Sequence, residues 1–137
     1  MRDFKKLEIW QRGHAFALTI YSISNSFPKS EQFGLTNQIR RASTSIGANI
    51  AEGCERCSQR DFLRSLFNSY GSVKECENFI LLAKDLKYLD EVKYSKLSIE
   101  IEILSKMLNT FIMQINKDVN AQGSSPQAKS GYLWQLM

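Results

Sequence analysis

Helix and strand breakers are scarce in this chain: 137 residues carry two prolines and seven glycines, so a few long elements are expected rather than many short strands and turns. There is one histidine, and the three cysteines are an odd number, which fits reduced thiols better than a disulfide framework. No run approaches the 18 apolar residues of a membrane span, and no basic N-terminal stretch leads into an apolar core with a cleavage site. No segment has the alternation of a strand. The expectation is an all-α, cytoplasmic protein that does not associate with membranes.

What is present suits one globular domain with its own core: 43% of residues are hydrophobic and 23% charged. The net charge of +4 is uneven, with four basic and two acidic residues over 1–27, six and four over 28–71, and balance thereafter. With a pI near 9.0, attraction to a polyanion is permitted but not demanded.

The stretch LTNQIRRASTSIGANIAEGCER, residues 35–56, gives one helix three faces. Leu35, Ile39, Ala42, Ile46 and Ile50 recur at steps of three and four, an apolar stripe. Gln38, Arg41, Ser45, Asn49, Glu52 and Arg56 form a polar stripe displaced by roughly 100°. Arg40, Thr44, Gly47, Ala48 and Ala51 make a third side, mostly small enough to admit another backbone. A helix wet on one side would carry Lys and Glu where this one carries Ser, Asn, Ala and Gly. It is expected to meet protein on more than one side, which points to self-assembly. Gln38, Arg41, Ser45, Asn49 and Glu52 are then read as a hydrogen-bonded interface network that specifies register at some cost in stability.

The pattern places a first helix from about Asp3 to Ser24, ended by Asn25, Ser26 and Pro28. The second begins near 29–31 and stops around Arg56. Ser58 followed by Asp61 has the form of a capping box, so a third helix opens there. Its main stripe runs through Phe62, Leu66, Tyr70, Val73, Glu77 and Ile80, and a small one runs through Ser65, Ser69, Ser72 and Cys76. Gly71 costs roughly 1 kcal/mol relative to alanine mid-helix, so it is read as a mark of close helix contact. The fourth helix runs from about Glu91 to Lys117 with a seam through Leu97, Ile101, Leu104, Leu108, Phe111 and Ile115. Short turns between comparable helices predict an up-down-up-down antiparallel four-helix bundle over residues 1–117. Residues 118–137 read as a flexible tail, poor in apolar residues until its last six, YLWQLM, which have the character of a docking segment.

Phe4-x-x-Leu7-Glu8-Ile9-Trp10, then FPKSEQFGLTNQIRRASTSIGANIAEG over 27–53, then Ser58, Phe62 and GSVKECE over 71–77, make the chain resemble a known family over about residues 3–117. It is the bacterial four-helix-bundle family first described as proteins encoded in intervening sequences of large-subunit rRNA genes. The accessory variability determinant of diversity-generating retroelements is similar more distantly. The resemblance implies a bundle assembled as a homopentameric ring, and the distant one implies binding of nucleic acid and of a reverse transcriptase. The chain departs from the family at Cys76, where a larger aliphatic residue is usual, at Gly47, where proline or a small residue is common, and after Lys117, where no counterpart is found.

Chemistry is weakly represented. His14 has no serine or cysteine nearby in sequence to suggest a catalytic set and reads as a structural histidine. Cys54-Glu55-Arg56-Cys57 is half of a zinc site without a second pair, and it falls at a helix end rather than at the start where a dipole would activate a thiol. No catalytic residue, metal or cofactor is assigned. Arg56, Arg60 and Arg64 bracket the second turn and, with Arg40, Lys5 and Arg12, are the candidates for phosphate contact. In a ring that turn would repeat around one rim and weak patches would add. The expected function is a non-enzymatic oligomeric accessory module that binds RNA or DNA through this rim. The alternative is a protein-interaction or structural scaffold.

Overall fold

A computed structural model describes residues 2–122; the tail with its terminal YLWQLM lies outside the described residues. Local signals set the helix starts. The Asp3 carboxylate accepts from the Lys5 N–H at 3.1 Å and closes a separate 3-10 turn, Phe4–Lys6. Leu7 is then extended, so α1 runs Glu8–Ser24 and starts later than the apolar pattern implied. After Pro28 a second 3-10 turn, Lys29–Glu31, precedes α2, Leu35–Cys54. The Glu31 carboxylate sets that later start, because one oxygen accepts from the Leu35 N–H at 3.2 Å, at the helix end where such donors are otherwise unpaired. Ser58 accepts from the Asp61 N–H at 3.1 Å and opens α3, Gln59–Asp85, where the capping pattern placed it.

The last helix, α4, spans Glu91–Gln122 and passes the expected end at Lys117. Residues 118–122 are helix rather than tail because the seam continues: Val119, four residues after Ile115, is buried.

Among the described residues all regular structure is helical, and successive helices run antiparallel as a four-helix bundle. α2 lies between α1 and α3, while α4 rests on α3 and less extensively on α1. Ile20, Ile39, Ile46, Ile50, Phe62, Leu66, Ile80, Leu104 and Leu108 fill the centre. No helix among the described residues is long and apolar enough to cross a membrane.

Small residues set the crossings. Ser65, Ser69, Ser72 and Cys76 are all buried, and the fully buried Ser69 hydroxyl donates to the Ile46 carbonyl at 2.8 Å, tying α3 to α2. A Cβ on Gly53 would meet the Ser65 Cβ at 2.7 Å. The third face of α2 is partly taken up inside the chain: Gly47 lies under Trp10, whose Nε1 is 3.2 Å from where a Cβ would stand. That side therefore needs no second subunit at Gly47, although Thr44 and Ala48 remain exposed beside it. Gly71 departs from its reading within the chain. It is exposed, with nothing within 4 Å of the position of a Cβ.

Candidate functional site

The polar stripe of α2 faces outward beside α3. Gln38, Arg41 and Glu52 are exposed, and Ser45 and Asn49 are half-buried. Their bonds follow the helix itself: the Ser45 hydroxyl donates to the Arg41 carbonyl and the Asn49 amide to the Ser45 carbonyl, each at 2.8 Å, while Glu52 pairs with Arg56 one turn on. The five side chains thus share one face without bonding one another across it. Gln38, Arg41 and Ser45 line a groove of about 340 Å³ with Glu75 and Phe79 of α3. Those two were missed from the sequence, because only the α2–α3 pairing brings them alongside.

The basic candidates divide between the two ends of the bundle. Arg56, Arg60 and Arg64 are exposed around the α2–α3 turn. Arg64 stands 4.0 Å from Asp61 with its side chain 79% exposed. Lys5 joins them, since the N-terminal 3-10 turn lies against α2 and the Arg2 guanidinium sits 4.3 Å from the centre of the Phe62 ring in the first turn of α3. Arg2 and Lys6 arrive by the same route. Six cations then surround this end against the carboxylates of Asp3, Glu52, Glu55 and Asp61. Arg12 is a turn higher on α1 and 3.7 Å from Glu8.

Arg40 does not belong with this group. It sits about 21 Å back from Cys54 along α2. Its guanidinium donates to the Ser24 hydroxyl at 2.8 Å, the Asn25 side-chain oxygen at 3.0 Å and the Tyr21 carbonyl at 3.3 Å, and lies over the Tyr21 ring. It closes the C-terminus of α1 instead of facing solvent.

His14 is exposed and stacked on Trp10, with ring centres 4.8 Å apart. The C-x-x-C splits between environments: Cys54 is buried in the last turn of α2 and Cys57 is exposed in the turn. Burial pushes the Cys54 thiol up from its ordinary range and the Cys76 thiol up to about 12, so both stay protonated and poorly nucleophilic. Among the described residues no three His, Cys, Asp or Glu side chains are grouped to hold a metal ion.

The family model described as 23S rRNA-intervening sequence protein matches residues 5–110. The fold is similar to the crystal structure of a protein with unknown function from the S23 ribosomal protein family of Bacteroides thetaiotaomicron. That protein is 26% identical, the alignment covers 76% of this chain and 97% of the other, and the TM-score is 0.71. No curated protein matches the sequence.

Proposed function

The chain belongs to the 23S rRNA-intervening sequence protein family, and we propose that it is a non-enzymatic oligomeric accessory module of the cytoplasm that holds RNA or DNA at the basic end of its bundle. The observation that carries this reading is the meeting of Arg2, Lys5 and Lys6 from the N-terminal segment with Arg56, Arg60 and Arg64 from the α2–α3 turn. Lys5, Lys6, Arg56, Arg60 and Arg64 are exposed, so they serve as phosphate contacts that displace counterions. Assembly as a homopentamer, implied by the family resemblance, repeats that end around a ring and adds the contacts of several subunits.

The test is fluorescence anisotropy of a labelled RNA and a labelled DNA oligonucleotide at increasing salt. Binding with little sequence preference and a steep salt dependence is expected. Lys5→Glu combined with Arg60→Glu should weaken it and reduce the salt slope by about 2. Lys93→Glu with Lys96→Glu is the control, since Lys93 lies about 27 Å along α4 from Phe111, which packs on Phe62 at the basic end. Equal loss from both pairs would mean diffuse attraction. No binding at low salt would leave the second reading, a scaffold for a protein partner such as the reverse transcriptase named by the distant resemblance. The exposure of Phe33 (88%) and Val92 (78%) favours that reading.

A further inference from the structure

Of the four seams between neighbouring helices, the one between α1 and α4 is the least closely packed. A groove of about 430 Å³ runs along it, walled by Leu7 and Ile9 on one side and by Met107 and Phe111 on the other, with Thr110 and Gln114 at its margin. Leu7, Met107 and Phe111 are only half-buried, so each leaves apolar surface open to the groove. The charged groups at its rim are already paired, Glu8 with Arg12 and Lys106 with Glu102. The Thr110 hydroxyl donates to the Lys106 carbonyl at 3.0 Å and keeps lone pairs with which to accept from an incoming donor. The other groove along α4, on its α3 side, differs in kind, since Lys74, Glu77 and Glu102 line it.

We propose that the α1–α4 groove is the docking site of this chain's own segment YLWQLM, residues 132–137. The segment carries no charge, and all of it but Gln135 is apolar or aromatic, which matches the apolar walls. The Thr110 hydroxyl supplies the acceptor that a buried indole N–H, here that of Trp134, requires. Length decides the reach. From Gln122 back along α4 to Thr110, the middle of the groove, is about 18 Å. Residues 123–131, GSSPQAKSG, have the composition of a linker. A chain of that length and make-up has a root-mean-square span of about 15–18 Å and an extended limit of about 30 Å. A tether whose mean span matches the gap holds its end at an effective concentration in the millimolar range, so the chain's own groove wins over that of another molecule at micromolar protein. The α3–α4 groove extends to Ser98 and Tyr94, about 36 and 42 Å back from Gln122 and beyond the extended limit of the tether. The α1–α4 seam also lies across the bundle from the polar stripe of α2, so docking there uses none of the residues assigned to assembly or to phosphate contact.

The experiment is amide hydrogen exchange of the full chain, with circular dichroism as the control on folding. Amides of residues 132–137 should exchange at least about tenfold more slowly than in a variant with Leu133→Asp and Trp134→Asp. Thr110→Glu, a change at an exposed position that leaves the core intact, should release the segment to the same degree with helix content kept. Thr110→Cys with Leu133→Cys, in a chain whose exposed Cys57 is replaced by Ser, should close a disulfide within one chain under oxidised glutathione. The product keeps the monomer mass on a denaturing gel. Disulfide-linked dimers would place the segment in a neighbouring subunit's groove and overturn the proposal. So would tail amides that exchange at unfolded rates, or protection that survives Thr110→Glu. Exchange and cross-linking are read without nucleic acid, so the outcome is separate from whether the basic end binds it.

Discussion

Two glycines show how a single methyl group reports on its surroundings. At Gly53 it would meet the Ser65 Cβ at 2.7 Å and the Phe62 ring at 2.9 Å, both in the first turns of α3. Gly53→Ala is therefore expected to lower stability by about 1–3 kcal/mol, although alanine is the better helix former. At Gly71 the same change meets nothing and should raise the stability of the protomer by up to about 1 kcal/mol. Urea denaturation of the two variants settles the order, and the opposite signs would contradict the packing described. The cysteines give a second test. At pH 8 an aromatic disulfide reagent should titrate Cys57 alone in the folded protein and all three thiols after unfolding, because burial keeps Cys54 and Cys76 protonated. Rapid reaction of a second thiol would count against it. The sign for stability follows: the folded Cys76 pKa is raised from 9.0 to about 12, so its contribution is intact below pH 9 and is lost as pH rises toward 12.

Helix ends are held by ties between elements that no one helix reveals. Arg40 of α2 donates to the Tyr21 carbonyl and the Ser24 hydroxyl at the end of α1, where a cation also suits the helix dipole. Arg40→Ala is expected to cost about 1.5–3 kcal/mol, the range for hydrogen bonds to a charged group, and to leave RNA affinity per oligomer unchanged. A selective loss of RNA binding would return Arg40 to the phosphate-contact set. Glu31 works across a longer span, since its second carboxylate oxygen accepts from the Tyr88 hydroxyl at 2.9 Å between α3 and α4. That bond pushes the Tyr88 pKa above its ordinary 10.0. The stability it brings is therefore present below pH 10 and declines above it, and Tyr88→Phe should flatten that alkaline decline in a thermal melt series.

For the whole molecule, assembly and nucleic-acid binding predict two independent behaviours. Association through folded subunits makes the melting temperature rise with protein concentration. Nucleic-acid binding should instead respond to salt, because the cations at the α2–α3 turn are solvated. A melting temperature independent of concentration over a hundredfold range would speak against any assembly, whatever its symmetry.

The sequence by itself determined the four helices and their order, because the stripe Leu35, Ile39, Ala42, Ile46 and Ile50, the cap at Ser58 and the α4 seam are repeated local signals that burial reinforces. It also brought Arg56, Arg60 and Arg64 together, since they are neighbours along the chain. The ends of the helices needed the fold: Asp3 and Glu31 each divert a backbone N–H from the helix the pattern implied, and Val119 extends α4. Only tertiary structure could decide what each glycine and arginine meets. Gly47 and Gly71 are alike as letters in two helices, yet one lies under Trp10 and the other faces outward. Arg40 and Arg41 are adjacent, yet the 100° between them sends one to α1 and the other to the groove beside Glu75. Helical period says which residues share a face, whereas the neighbours of that face depend on how the helices pair in space.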